Sequence, residues 1–573
     1  MNKPNIEIYP EIEDYRKLMD WVIEKFSDNI AYKYRENRED KNSPIIEKTY
    51  EVVVEDVRAL ATAFLKKGWK GKRIAIIGSN RYEWVVPYFA TLSGGMIAAP
   101  MDKLLPDKEI ESITTRAEID VVVFEKKYLD VFKNIKKSKD NNVKHLICMD
   151  DVDDKEVEKL SDLIEEGKKL VEDGNDLYDK VKIDRNEMSI MLFTSGTTSQ
   201  SKIVMLSQGN ILGNIWGYQP YFKMLPTDTV LSILPIHHTF ESSITIMYGF
   251  YSGATVAFCD GLRHIADNLK EYEISVFVAV PLLLETMYKK ILKGIDAQGK
   301  TKLVNTMIKI SNGLRKCHID LRRKFFKQVI DQMGGKLRMV LYGGAKLDKE
   351  TTIGYDNFGI ISIQGYGLTE TSPVLTAETE SRHNPGSAGL PLEAIELKIY
   401  EPDKDGVGEV LAKGPNVFLG YYNDEAKTEE AFIDGWFRTG DYGYIDNGGW
   451  LWLTGRKNDI IVLKNGKNVY PEEIETLINR LSYIKESMVY SRDDSETDTL
   501  LAAKIVYDPD EMKRVFPDKE KDDYQDIIFD AIKKINKDLP TFKHVKKIEI
   551  TDEPMEKTTT QKIKRYVEKK KMK

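Results

Sequence analysis

Short apolar runs alternate with longer mixed stretches along most of the chain. KRIAIIGSN (72–80) has the continuous apolar centre of a buried strand and ends in turn residues. The stretch RYEWVVPYFATLSGG (81–95) that follows is helix-like, and IDVVVFE (119–125) and HLICMD (145–150) repeat the strand pattern with helical stretches between them. Strand and helix in this alternation predict α/β units around a largely parallel sheet. From 151 to 187 the composition turns polar, and EVEKLSDLIEEGKKLVEDG (156–174) predicts one exposed helix in a surface connection. TVLSILPIHH (229–238), ATVAFCD (254–260), VFVAVP (276–281) and LRMVLYGG (337–344) supply a second set of buried strands. Beyond Val410 the texture changes. Gly, aromatic and Asp residues crowd GYIDNGGWLWLTGRKNDIIVLKNG (443–466), a pattern of hairpins rather than βαβ units. From about Asn458 onward a smaller α+β segment of ordinary domain size follows.

Composition narrows the class. At 573 residues the chain is too long for one compact core, and 41% hydrophobic with 31% charged residues describes a globular protein. The net charge of −7 is spread through the chain, so nucleic acid is not an expected partner. Cys148, Cys259 and Cys317 are far apart, which suits a reducing compartment and excludes a structural zinc site of Cys-x-x-Cys type. The acidic start MNKPNIEIYPEIEDY lacks the apolar centre of a signal peptide, and no apolar run approaches the ~18 residues of a membrane span. A cytoplasmic location is therefore expected. The lysine-rich end KIKRYVEKKKMK leaves peripheral contact with anionic lipid open, although such ends are more often solvated faces. Oligomeric state leaves no trace.

The densest chemistry follows the run MLFT (191–194). Between Thr194 and Ser201 only Gly196 and Gln200 are not Ser or Thr, and Lys202 comes next. Hydroxyls, backbone N–H groups and a lysine on a turn suit phosphate oxygens. The spacing is not that of a Walker loop, because five residues separate Gly196 from Lys202 and Ile203 follows the lysine. YGGAKL (342–347) runs from a strand into a glycine turn where backbone can approach a flat ligand closely. ISIQGYGLTET (361–371) places Gln364, Gly365, Tyr366 and Gly367 ahead of Thr369 and Glu370. A ring, a hydroxyl and a carboxylate together can serve a base, a phosphate and a magnesium ion. WFRTGDYG (436–443) and LTGRKNDIIVLKNGKNVYPEEIE (453–475) add Asp441 and Arg456, which on their own read as a surface salt bridge.

In this order and spacing, TSGTT, YGGAKL, QGYGLTET, RTGD, TGRKND and KNVYPEEIE resemble the core motifs of the adenylate-forming acyl-activating enzymes, and within them the bacterial long-chain fatty acyl-CoA synthetases. The resemblance runs from about Tyr50 to the C-terminal KTTTQKIKR. It implies a large N-terminal domain (1–457) of layered α/β subdomains with a small β-barrel-like part, then a small mobile α+β C-terminal domain (458–573). It implies ATP-dependent activation of a medium- or long-chain fatty acid through acyl-AMP, with CoA as the thiol and Mg2+ as cofactor. Carried over by position, Thr194, Ser195, Gly196, Thr197, Thr198 and Lys202 hold the β- and γ-phosphates. Gly344 and Ala345 border the adenine within the site that QGYG completes, and Tyr366 stacks on it. Thr369 meets the α-phosphate, Glu370 holds magnesium, and Asp441, assisted by Arg456, accepts from the ribose. Lys562 is the catalytic lysine, Asn458 the hinge, and His238 borders the acyl site, with His237 an open alternative.

The sequence also departs from the family pattern. Ser199, Ser201 and Ile203 stand where the loop usually has Gly, Pro and Gly, and Gln561 replaces the Gly before the catalytic lysine. A bulky Ile203 would restrict loop movement. Two other functions compete: a ligase that loads a phosphopantetheine carrier protein, and a non-catalytic nucleotide- or acyl-binding relative.

Overall fold

The computed structural model describes residues 8–138, 140–194, 201–463, 467–493, 499–557 and 563–571. The chain forms two compact units: residues 1–396 with 413–435, and residues 397–412 with 436–573. The strands just ahead of residue 458 thus group with the C-terminal residues.

Among the described residues the first unit holds two large sheets. One has Ile97–Met101, Arg73–Ile77, Val121–Phe124 and His145–Cys148 side by side in parallel, as the alternating pattern predicts. Its far flank is antiparallel: Met188–Thr194 pairs with Lys202–Ser207, and Gly420–Tyr421 adds to the latter. The second sheet aligns Thr255–Phe258, Thr229–Ser232, Val276–Ala279, Met339–Tyr342 and Ile361–Gly367 in parallel. The first four of these strands are buried almost throughout, which explains their short apolar runs. Asn80, in the turn ending KRIAIIGSN, ties the two strand systems together: its amide donates to Ser232 Oγ (2.9 Å) and Leu234 O (2.7 Å).

The polar stretch forms its predicted helix, Leu160–Glu172, but the helix is more than a surface connection. A Cβ on Gly167 would lie 1.9 Å from the carbonyl oxygen of Ala59 in the helix Tyr50–Lys66, so the two backbones touch at a site that only glycine allows. Leu160 and Leu163 of the same helix are buried.

In the second unit Trp436–Ile445 and Leu451–Arg456 form the hairpin read from the Gly- and aromatic-rich texture. Farther on, Ile484–Asp493, Thr499–Tyr507 and Val545–Thr551 make a mixed sheet. The helices Pro471–Ile478 and Tyr524–Asn536 cover it through Ile474, Ile478, Ile528 and Ile532. Among the described residues no helix is long and apolar enough to cross a membrane.

Candidate functional site

The hydroxyl-rich loop grows out of a hairpin. Thr194 and Lys202 are cross-strand partners, so the chain enters and leaves the loop at adjacent points. Ser195, Gly196, Thr197, Thr198 and Ser199 lie outside the described residues. Ile203 does not belong to the loop. It pairs with Phe193 inside the sheet, is 5% exposed, and packs in the core with Met191 and Phe124. A β-branched apolar residue is what a buried strand position favours, so the bulk of Ile203 fills the core rather than burdening the loop.

Lys202 is fixed by a residue that sequence reasoning missed. Its Nζ sits 4.4 Å from the ring centre of Tyr421, whose strand pairs with that of Lys202. The Tyr421 hydroxyl donates to Glu370 Oε1 at 2.9 Å, and the Glu370 carbonyl accepts from Phe418 N at 2.9 Å. Burial, with Glu370 alongside, pushes the Tyr421 phenol well above its usual pKa, so it stays a donor across ordinary pH. Lysine, ring and carboxylate thus form one connected row.

The two glycine turns meet at the ends of neighbouring parallel strands, Met339–Tyr342 and Ile361–Gly367. A Cβ on Gly343 would lie 2.9 Å from Gly365 O, and Gly344 has φ +81°, so glycine is required at both. Gly344 and Ala345 are exposed, and Tyr366 is half-buried. Gly365 is different: a Cβ there would meet nothing nearer than 3.7 Å, so protein packing does not explain its missing side chain. Next to it Gln364 is 5% exposed, and its Oε1 has no hydrogen-bond partner among the described residues. A buried acceptor without a donor is costly unless something supplies one. Gly367 is fixed by a closer constraint, since a Cβ would lie 1.8 Å from Pro373 O. Thr369 and Glu370 follow in the 3-10 turn Thr369–Thr371, both half-buried.

The histidine pair sits before a nine-residue π-helix, Phe240–Tyr248. Such helices are rare and recur at functional sites. His237 is 7% exposed with Nε2 3.6 Å from Asp102 Oδ2; burial, then His238 and Lys103, hold its pKa well below the usual imidazole value. His238 is half-buried, and its ring lies 4.3 Å from that of His237. Glu241, fully buried in the π-helix, was not foreseen. It accepts from Ser232 Oγ (2.6 Å) and Thr245 Oγ1 (2.9 Å), and burial pushes its carboxyl up to about 8.

In the second unit Asp441 and Arg456 are cross-strand partners, with Arg456 Nε 3.1 Å from Asp441 Oδ1. The pair is asymmetric. Asp441 is 6% exposed, whereas half of the Arg456 side chain is open. A carboxylate this desolvated differs from the exposed ion pair that composition suggests. Asn458 is exposed in the single 3-10 turn Lys457–Asp459 that follows. Gln561 and Lys562 lie outside the described residues, but the residues on either side are anchored. Lys557 and Ile563 form a β-bridge, and Arg565 makes a two-pronged contact with the buried carboxylate of Glu475. Among the described residues no cluster of three or more His, Cys, Asp or Glu residues could hold a metal ion.

Comparison with known proteins identifies the family and the fold. Residues 19–422 match the AMP-binding enzyme family, and residues 458–572 match the AMP-binding enzyme C-terminal domain. The chain is 28% identical over 559 residues to long-chain-fatty-acid–CoA ligase 5 of Mus musculus, covering 90% of this chain and 80% of that protein. It is 30% identical over 409 residues to a chloroplastic long-chain-fatty-acid–[acyl-carrier-protein] ligase of Arabidopsis thaliana, covering 61% of this chain and 55% of that one. A crystal structure of an anthranilate–CoA ligase in complex with anthranoyl-AMP shares the fold, with a TM-score of 0.77 at 19% identity over 98% of each chain. With matches over both its large N-terminal part and its C-terminal domain, the chain belongs to the AMP-binding enzyme family.

Proposed function

We propose that this protein activates a medium- or long-chain fatty acid. The carboxylate attacks the α-phosphate of ATP, giving acyl-AMP and diphosphate; the thiol of CoA then takes the acyl group and AMP leaves. The observation that carries this reading is the likeness to a fatty-acid–CoA ligase along nearly the whole chain. A carboxylate is a weak nucleophile and the triphosphate is heavily charged, so positioning and charge neutralisation are what the protein has to supply.

The residues fit the nucleotide. Gln364 Oε1, without a partner among the described residues, offers an acceptor to the exocyclic amine of adenine, and the space beside Gly365 suits a flat ring next to Tyr366. Asp441 accepts from the ribose hydroxyls, with Arg456 holding its other side. Thr194, the hydroxyl loop, Lys202 and Thr369 serve the phosphates. Glu370 suits magnesium: Tyr421 engages one oxygen, and among the described residues the other makes no bond. Magnesium commonly takes one or two carboxylates and completes its shell with substrate phosphates and water, and when bound it would neutralise phosphate charge. Lys562 is assigned to the reacting carboxylate and α-phosphate, Asn458 to the pivot of a mobile C-terminal domain beginning at 458, and His238 to the border of the acyl site. The same reading places the enzyme in the cytoplasm.

A panel of carboxylic acids from medium to long chain, assayed for AMP release with ATP, Mg2+ and CoA, tests the proposal. Acid-dependent AMP release supports it. No release and no acid-dependent diphosphate exchange, with ATP still bound, would refute it. The likeness to a carrier-protein ligase supports a second reading of the thiol, and replacing CoA with a phosphopantetheinylated carrier protein in the same assay separates the two.

A further inference from the structure

The second half of the phosphate loop departs most from the family pattern, and its last residue has a partner from a distant element. Arg116 closes the helix Asp107–Arg116. Its Nη1 donates to Ser201 O at 2.9 Å and its Nη2 to Ser201 Oγ at 3.1 Å, while Nε reaches Ser112 Oγ at 3.4 Å. The guanidinium therefore grips both the backbone and the side chain of the residue just before Lys202. Proline at that position would keep the carbonyl but lose the hydroxyl. Serine is what makes the grip two-pronged.

Arg116 is also a cation without a salt bridge among the described residues. Burial lowers its pKa from the usual guanidinium value, and the attraction of the Glu109 carboxylate only partly offsets this. It lines a cavity of about 570 Å³ together with Ser201, Lys202, Tyr421, Asp424 and Lys427. The other charges there are already matched. Asp424 is paired with Lys427, and Glu118 with Arg73 at 2.6 Å. Among the described residues Arg116 and Lys202 are the cations of this cavity that make no salt bridge, although Lys202 acts on Asp424 at longer range.

We propose that Arg116 is a positioning residue for the nucleotide's diphosphate end: through Ser201 it sets the backbone from which Lys202 projects, and it holds positive charge at the cavity that receives the anion. This rests on the ATP-dependent reading above. It also explains the Ser201 departure, since the serine hydroxyl supplies a contact that the family's usual proline cannot.

The test uses the full-length protein and its variants Arg116→Ala, Arg116→Lys, Ser201→Ala and the double Arg116→Ala/Ser201→Ala, assayed by fatty-acid-dependent ATP–diphosphate exchange. Losing a charge-assisted contact predicts that Arg116→Ala raises the KM for ATP and for diphosphate roughly tenfold, with the KM for fatty acid and the melting temperature unchanged. Ser201→Ala should show a smaller rise, Arg116→Lys a partial recovery, and the double variant no more loss than Arg116→Ala alone. Unchanged nucleotide and diphosphate KM values in Arg116→Ala, or an equal rise in the fatty-acid KM, would overturn the proposal. If the wild type shows no exchange with any fatty acid, the proposed reaction fails instead. ATP affinity by calorimetry on the same proteins then decides the role of Arg116: equal affinity in wild type and Arg116→Ala rejects it, and tenfold weaker binding supports it.

Discussion

Tyr421 links Lys202 to Glu370, and two substitutions separate its contributions. Tyr421→Phe removes only the hydroxyl, which donates to Glu370 Oε1 at 2.9 Å, and keeps the ring under Lys202 Nζ. Tyr421→Leu removes both. A hydrogen bond to a charged group contributes about 1.5–3 kcal/mol, equivalent to roughly 10- to 150-fold in a binding constant. A lysine over an aromatic ring adds about 0.5–2 kcal/mol depending on its desolvation. The phenol is held well above its usual pKa, so the deleted donor is present at every working pH and the loss should not vary with pH. The assay is acid-dependent diphosphate exchange titrated with Mg2+ at fixed ATP, alongside thermal unfolding. Tyr421→Phe is expected to raise the Mg2+ requirement at least about tenfold at an unchanged melting temperature. Tyr421→Leu should in addition weaken ATP itself. A Tyr421→Phe enzyme within about threefold of wild type in Mg2+ dependence would show that Glu370 does not need this bond, and its assigned role would fall.

Three further outcomes are expected. The buried Glu241 carboxyl is held at about 8 against an ordinary value of 4.5, so between these values the folded state binds more protons than the unfolded state, and stability falls as pH rises through that window by about 1.4 kcal/mol per unit. Glu241→Gln, which keeps the neutral shape, should flatten this fall in melting temperature measured below and above the window; a parallel decline in both proteins would refute the assignment. Gly367→Ala forces a Cβ to within 1.8 Å of Pro373 O and should destabilise the turn by about 1–3 kcal/mol or more, seen as a lower melting temperature and weaker ATP binding, whereas an unaltered variant would contradict the geometry. Asn458→Pro, in the exposed turn Lys457–Asp459, should spare acid-dependent diphosphate exchange and cut thioester formation; equal falls in both half-reactions, assayed separately, would remove residue 458 as the hinge.

What the sequence made legible was local. The buried strands announce themselves as unbroken apolar runs, and the turns YGGAKL and QGYGLTET need only their own glycines to be recognised. The Asp441–Arg456 pair was visible as two residues, but its asymmetry was not, because burial of the aspartate depends on the neighbouring strands of the sheet. Ile203 shows a missed signal of another kind. The run IVML after Lys202 is a strand pattern that marks the position as buried, whereas the glycine expected there by the motif implies an open loop.

The residues that hold the site's parts together were illegible for a physical reason. Tyr421 is 51 positions from Glu370 and Arg116 is 85 from Ser201, and no local periodicity encodes contacts made by chain crossing between sheet elements and helix ends. This changes how a departure inside a motif should be weighed. Read alone, serine in place of proline is a lost constraint, because proline fixes φ and serine does not. Read with Arg116, the same serine gains two hydrogen bonds to a cation, so the constraint is supplied from outside the motif rather than from within it. A substitution at a motif position therefore says little about activity until the residue facing it is known. At Ser201 that residue is Arg116, a cation of the kind the proposed phosphate site calls for.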